Sequence, residues 1–277
     1  AYLFATLMAV SLKLHLRFSP PKRLSSPMEA SNRLRGAMRG GFLSSSSVLG
    51  AGMLMRLDVN CEARQGVGNG VVGAALLKLL ATPVAGALHL VGAANSQCQV
   101  VNTRGLVPTQ VHALLAASCA PRDDALLLAA LDASGATQHV VIDATAARET
   151  AASHAAWLAA GYHVVSANKV ASGDALAAWT TLRAARALGA GVYGDAATVG
   201  AGLPVLSTLR RLRECGDRLI ALDGVFSGSL SWLFNQFDGR RPFSALLREA
   251  RASGYTEPDP RVDLGGVDVA RKLLILA

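Results

Sequence analysis

From Gly70 onward the chain alternates short apolar runs with helix-length amphipathic stretches, and this alternation limits the fold more than any other feature. The runs Leu88–Ala93, His139–Ala144, His163–Ala167 and Gly191–Tyr193 read as strands. The stretches Gly70–Leu80, Pro108–Ala117, Ala146–Ala160 and Ser172–Leu188 carry helical periodicity. Short apolar strands separated by helices require a parallel sheet whose two faces are both covered. With 277 residues, 51% of them hydrophobic and 17% charged, the chain is long enough for one large or two modest domains.

The predicted plan is a Rossmann-like, doubly wound α/β domain, and a glycine pattern sits where that plan would use one. Gly68, Gly70 and Gly73 match GxGxxG at the start of the first helix. Missing side chains there let the backbone, Val71 included, and the helix N-terminus approach a pyrophosphate. The next strand ends about twenty residues later at Ala94, Asn95 and Ser96, where the ribose is normally read. No Asp or Glu stands there to bind a ribose 2′-hydroxyl and repel a 2′-phosphate, so NADP(H) is preferred and NAD(H) remains compatible. The strand that should precede Gly68 is hard to place. ValAsnCysGluAlaArgGlnGlyVal is too polar for a buried strand, and the apolar run at 48–54 ends more than ten residues early.

The net charge of +8 raises the question of nucleic acid, but its distribution argues against it. Residues 1–60 hold eight Lys or Arg against Glu29 and Asp58, whereas the remainder is nearly neutral. No nucleic-acid partner is expected. The chain divides into a basic tail or linker over 1–60, expected to be poorly ordered, a dinucleotide-binding domain over 61–195 and a catalytic domain over 196–277. Residues 13–47, rich in Arg and Ser and poor in acids, have the composition of an organelle transit segment, which would mean a plastid. Otherwise a cytoplasmic location is expected. The apolar stretch at residues 1–12 is too short to span a bilayer, and neither secretion nor a membrane partner is expected. Four scattered cysteines and six scattered histidines give neither a disulfide framework nor a zinc site.

Residues 254–272, GlyTyrThrGluProAspProArgValAspLeuGlyGlyValAspValAlaArgLys, bring four carboxylates and a lysine into a turn followed by a helix. Asp268 and Lys272 are four apart and share a helical face. The helix has apolar flanks, and charges in such surroundings usually have a function.

This segment resembles the active-site signature of homoserine dehydrogenase. Three further stretches match in the same order: ValSerAlaAsnLys at 165–169, ThrValGlyAlaGlyLeuPro at 198–204 and PheSerGlySerLeuSer at 226–231. The resemblance spans roughly residues 68–277 and is similar to the dehydrogenase half of bifunctional aspartokinase/homoserine dehydrogenases. It implies NAD(P)-dependent interconversion of L-homoserine and L-aspartate 4-semialdehyde, on the route to threonine, isoleucine and methionine. It also implies a second α+β domain for substrate binding and dimerisation, a homodimer and compatibility with a fused aspartokinase. Family members continue beyond the ArgLys helix, so a truncated C-terminus is expected. The rival reading is a catalytically silent nucleotide-binding or assembly fragment.

By resemblance, Lys272 is the acid/base, Asp268 orients it, and Lys169 lies near both cofactor and substrate. Glu257 and Asp263 are the implied substrate ligands. Asp259 is a further candidate, although ProAspPro equally serves to stiffen the loop. Thr145 joins Gly68, Gly70, Val71, Gly73, Asn95, Ser96 and Lys169 as an implied cofactor residue. The carbonyls of Val199, Ala201 and Leu203 match positions that hold a sodium ion in the family. Ser227 or Ser229 is expected to cap the helix that follows Phe226.

Overall fold

The computed structural model describes residues 14–19, 51–57, 71–83, 88–189, 191–256 and 259–277. The chain forms two compact units, one of residues 43–195 and one combining residues 1–42 with 196–277.

The first unit is built on a six-stranded sheet. Its strands are β2 (Ala51–Leu57), β3 (Leu88–Ala94), β4 (Gln99–Val101), β5 (Gln138–Ala144), β6 (His163–Ser166) and β7 (Tyr193–Gly194). Their spatial order is β4-β3-β2-β5-β6-β7. All neighbours are parallel except β4, which pairs antiparallel with β3 at the edge. The helices are α1 (Val71–Leu80), α2 (Val111–Ala117), α3 (Asp124–Asp132), α4 (Arg148–Ala159), α5 (Val170–Gly173) and α6 (Leu176–Leu188).

Alternation along the strands places apolar side chains on both faces. Val91, Ala94 and Val141 join Leu131, Leu158 and Leu182 in one core. Leu90 and Ala93, with Val140 and Ile142, pack with Leu77, Val111 and Leu115 in another. Helix α3, which the apolar pattern does not single out, is fixed by Asp123. Its carboxylate caps the helix by accepting from the N–H groups of Ala125 and Leu126. At the approach to β7, a methyl group on Gly191 would lie 2.2 Å from the Tyr162 carbonyl oxygen, so only glycine passes there.

One sequence expectation is corrected. The first strand of the sheet is Ala51–Leu57, inside the stretch read as a tail, and it lies at the centre between β3 and β5. Residues 58–70, between this strand and α1, lie outside the described residues, and so do Gly68 and Gly70. The separation from the glycine pattern is what hid the strand.

In the second unit, β1 (Leu14–Ser19) pairs antiparallel with β8 (Arg218–Gly224). This strand also lies in the segment read as a tail. Five helices follow the chain: α7 (Val205–Glu214), α8 (Gly228–Gln236), α9 (Phe243–Ala252), α10 (Pro260–Leu264) and α11 (Val267–Leu276). Val199, Leu206, Leu209, Phe226 and Leu276 form one core, and Leu233, Leu246 and Ala250 form another.

Candidate active site

In the sheet unit, the chain leaves β2 for β3 on one side and returns to β5 on the other, so the strand order reverses beside β2. Open α/β sheets bind ligands at the carboxyl edge of such a switch point. Asn95 and Ser96 follow β3 at this edge, Thr145 follows β5, and Lys169 follows β6 as the residue preceding α5. Gly73 is buried within α1, which begins at Val71.

Much of the polar chemistry here is internal. The Asn95 side-chain oxygen accepts from the N–H groups of Gln97 and Cys98, each at 2.8 Å, and closes the turn into β4. Ser96 beside it is exposed. The Thr145 hydroxyl accepts from the Ala147 N–H at 3.1 Å. Asp143 lies under both the β5 and the β6 loops. Its Oδ1 accepts from the Thr145 N–H at 2.9 Å, and its Oδ2 accepts from Asn168 Nδ2 at 2.9 Å. Burial works to raise the Asp143 pKa, but hydrogen bonds from His154 and Thr145 prevail and hold it below the usual aspartate value. Asp143 and His154 were not singled out from the sequence. The readable signal was a carboxylate near the end of an apolar strand, in IleAspAlaThr.

The helical unit brings a second set together. Lys272 and Asp268 occupy successive turns of α11, with Nζ and Oδ2 2.5 Å apart. Both are largely withdrawn from solvent, at 17% and 28% side-chain exposure. Lys272 Nζ also donates to the main-chain oxygen of Phe226 at 2.7 Å. An ammonium has three N–H bonds, so these two acceptors orient the group and leave a third donor beyond them.

The Phe226 carbonyl is itself fixed by the start of α8. Ser227 is the N-cap, accepting from the Leu230 N–H at 3.1 Å, so of the two serines considered it is Ser227 that caps. Ser229 Oγ donates to Asp263 Oδ1 at 2.7 Å and lies 3.0 Å from Ser227 Oγ. Ser229 has one proton and gives it to the carboxylate, so Ser227 donates to Ser229. Asp263, Ser229, Ser227, Phe226, Lys272 and Asp268 therefore form one connected site. A cavity of about 440 Å³ lies beside it, lined by Phe226, Ser227, Leu230, Phe234, Asn235 and Val269 among others.

Asp259 has a local role. It caps α10 through the Arg261 N–H and also accepts from the Arg261 guanidinium, which holds its carboxyl below the usual aspartate value. Glu257 lies outside the described residues. In the turn before α7, Gly200 and Ala201 both have positive φ, and a methyl on Gly200 would meet Val205 Cγ2 at 2.8 Å. The Leu203 carbonyl already accepts from the Val205 N–H at 2.8 Å, and Val199 is buried. Lys169 belongs to the sheet unit and Lys272 to the helical unit.

A parallel sheet with this switch point defines a dinucleotide-binding type of protein, and the Lys272–Asp268 pair of the helical unit narrows that class. The sequence profile of the homoserine dehydrogenase NAD-binding domain matches residues 68–193, and that of homoserine dehydrogenase itself matches residues 204–277. The chain belongs to the homoserine dehydrogenase family.

Among relatives, it is 40% identical over 219 residues to bifunctional aspartokinase/homoserine dehydrogenase 2, chloroplastic, of Zea mays. That match covers 76% of this chain and 24% of the maize protein. It is 37% identical over 222 residues to the homoserine dehydrogenase of Saccharomyces cerevisiae, covering 76% of this chain and 60% of the yeast protein. The chain thus spans well under two thirds of the maize protein. Among solved structures, a Candida auris protein of unknown function superposes with a TM-score of 0.67 at 29% identity, over 82% of this chain and 63% of that one. A hyperthermophilic archaeal homoserine dehydrogenase in complex with NADPH shares the fold, with a TM-score of 0.57 at 16% identity over 82% of this chain and 68% of that one.

Proposed function

We propose that the chain is the dehydrogenase portion of a homoserine dehydrogenase and interconverts L-aspartate 4-semialdehyde and L-homoserine with NADP(H). The observation that carries this reading is the Lys272 ammonium held between the Asp268 carboxylate and the Phe226 carbonyl. When bound, the reduced nicotinamide supplies the hydride. Lys272 supplies the proton: its Nζ donates to the aldehyde oxygen as that oxygen becomes an alcohol, and it takes a proton back in the reverse direction. Asp268 orients Nζ and keeps a negative charge beside the ammonium. Asp263, fixed by Ser229, attracts the substrate amino group, and Glu257 is proposed to share that task.

Gly68, Gly70, Val71 and Gly73 would receive the pyrophosphate, with Thr145 and Lys169, at the carboxyl edge of the sheet, flanking the nicotinamide end. The absence of a carboxylate at Asn95 and Ser96 supports a preference for NADP(H). The archaeal neighbour is an NADPH complex, in keeping with that choice. The tight turn at Gly200 and Ala201 supports a sodium ion held by the carbonyls of Val199, Ala201 and Leu203, which are hard oxygen donors without a redox role.

The maize relative is a chloroplastic protein fused to an aspartokinase, which favours a plastid setting. Residues 14–19 pair with β8, so cleavage of a leader beyond Ser19 would remove a strand of the helical unit. A homodimer formed through β8 is proposed as the assembled state.

The deciding experiment follows NADPH oxidation by the purified chain with aspartate semialdehyde, beside Lys272→Ala. Turnover is expected in the wild type and a loss of at least about a hundredfold in the variant, with NADPH affinity retained. Equal turnover in both would refute the role of Lys272. NADPH-induced fluorescence quenching without turnover in the wild type would instead identify a nucleotide-binding fragment.

A further inference from the structure

A buried polar cluster in the sheet unit has no part in the chemistry above. His154, on α4, has no exposed surface, nor does Asp143, and Tyr193 and Asn168 are nearly as enclosed. His154 Nε2 lies 2.9 Å from Asp143 Oδ2, and His154 Nδ1 lies 3.1 Å from the Tyr193 hydroxyl. With the carboxylate accepting, Nε2 carries the proton and Nδ1 accepts from the Tyr193 O–H.

An aspartate, a histidine and a hydroxyl in sequence have the order of a nucleophilic triad. A nucleophile must meet its substrate, however, and Tyr193 is buried in the core that Trp157, Leu158 and Leu182 share. The cluster has a different use. Asp143 receives three donors from three elements: the loop after β5 through Thr145, α4 through His154 and the loop after β6 through Asn168. Asn168 completes the connection. Its amide also donates to the Ala147 carbonyl at 2.9 Å, and its oxygen accepts from the Val170 N–H at 3.0 Å. The main chain adds the Ala167 N–H to the Asp143 carbonyl oxygen at 2.9 Å.

We infer that His154 is a positioning residue: through Asp143 it fixes the two loops that present Thr145 and Lys169 at the nucleotide edge. The inference rests on the proposed binding of NADPH at that edge. Without the imidazole, a buried carboxylate loses one of its three donors and the Tyr193 hydroxyl loses its acceptor, so the anchor common to both loops is weakened.

The test uses the full chain with His154→Leu, His154→Gln and Tyr193→Phe. Glutamine keeps a donor for Asp143 and an acceptor for Tyr193, and phenylalanine keeps the packed ring. Amide hydrogen exchange and NADPH titration are read on each protein. In His154→Leu, exchange at residues 145–148 and 167–170 should rise about tenfold while Val141 and Val164 keep wild-type rates. NADPH affinity should fall about tenfold. His154→Gln should restore both, and Tyr193→Phe should give a smaller rise at the same positions.

Unchanged loops, or a uniform rise across the whole unit, would overturn the inference. So would faster loops with undiminished NADPH affinity. If His154→Leu does not accumulate, the glutamine and phenylalanine variants decide by the same criteria. A wild type that binds no NADPH overturns the inferred service to the nucleotide edge together with the proposed cofactor. The exchange data then show separately whether His154 anchors the loops.

Discussion

Ser229 joins two functional ends, because its single proton goes to Asp263 while its oxygen receives Ser227, the cap that fixes the Phe226 carbonyl under Lys272. Ser229→Ala should lower kcat/KM for aspartate semialdehyde about tenfold, the scale of one hydrogen bond to a charged group. Ser229→Thr, which keeps the hydroxyl, should recover most of it. Asp259 makes a contrasting case. Its carboxylate is occupied by Arg261, at the surface, so Asp259→Asn, which preserves the helix cap, is expected to leave the semialdehyde KM within about twofold of wild type. Steady-state kinetics on the three variants separate these roles. The sequence showed which residue types meet in 254–272, but not that one aspartate serves its own helix turn while another is fixed by a serine 34 positions away. Such pairings depend on how α8 and α10 pack, and no local spacing encodes them.

Among the elements, β5 and α4 show how buried hydrogen bonds set a pH limit. The Asp143 pKa is lowered in the folded protein, so its contribution to stability is complete above the pKa of the unfolded chain, about 3.9. That contribution is lost as pH falls through the lower, folded value. Asp143→Asn should destabilise the sheet unit by about 3 kcal/mol near neutrality, the cost of replacing a buried carboxylate that accepts from three donors. Thermal melts at stepped pH should show that gap narrowing only below about pH 4. A packing change at the same helix behaves differently. Leu158 is fully buried, so Leu158→Ala should cost about 3 kcal/mol at every pH in the same melts.

These elements also mark how far the sequence could be read. Strands β3, β5 and β6 were legible as apolar runs bounded by polar residues, because strands covered on both faces need little else. The central strand was not, since Ala51–Leu57 is followed by a long segment before the glycine pattern that usually abuts it. Helix α3 was missed for its even apolar character, and the edge strand β4 for its brevity. The Asp143 network was illegible for a different reason: residues 143, 154, 168 and 193 become neighbours only when the sheet has formed.

For the molecule as a whole, the two-stranded pairing of β1 with β8 is the feature that calls for a partner. Two strands make a marginal sheet by themselves, and Ile220 on β8 is 64% exposed, with Val225 just beyond it also uncovered. A homodimer that covers this surface is the expected state, read by multi-angle light scattering. Ile220→Lys should shift the population towards monomer without altering NADPH affinity, since β8 belongs to the helical unit and the nucleotide edge to the other.

The same pairing orders events in time. The strands of the sheet unit emerge from a ribosome close together, with β2, the central one, synthesised first, so that each later strand finds a neighbour already waiting. Leu14 faces Gly224, its partner roughly 200 residues later. Strand β1, made before all of these, therefore stays unpaired throughout synthesis of the nucleotide-binding unit. Until β8 arrives, its unpaired backbone is open to the wrong partners.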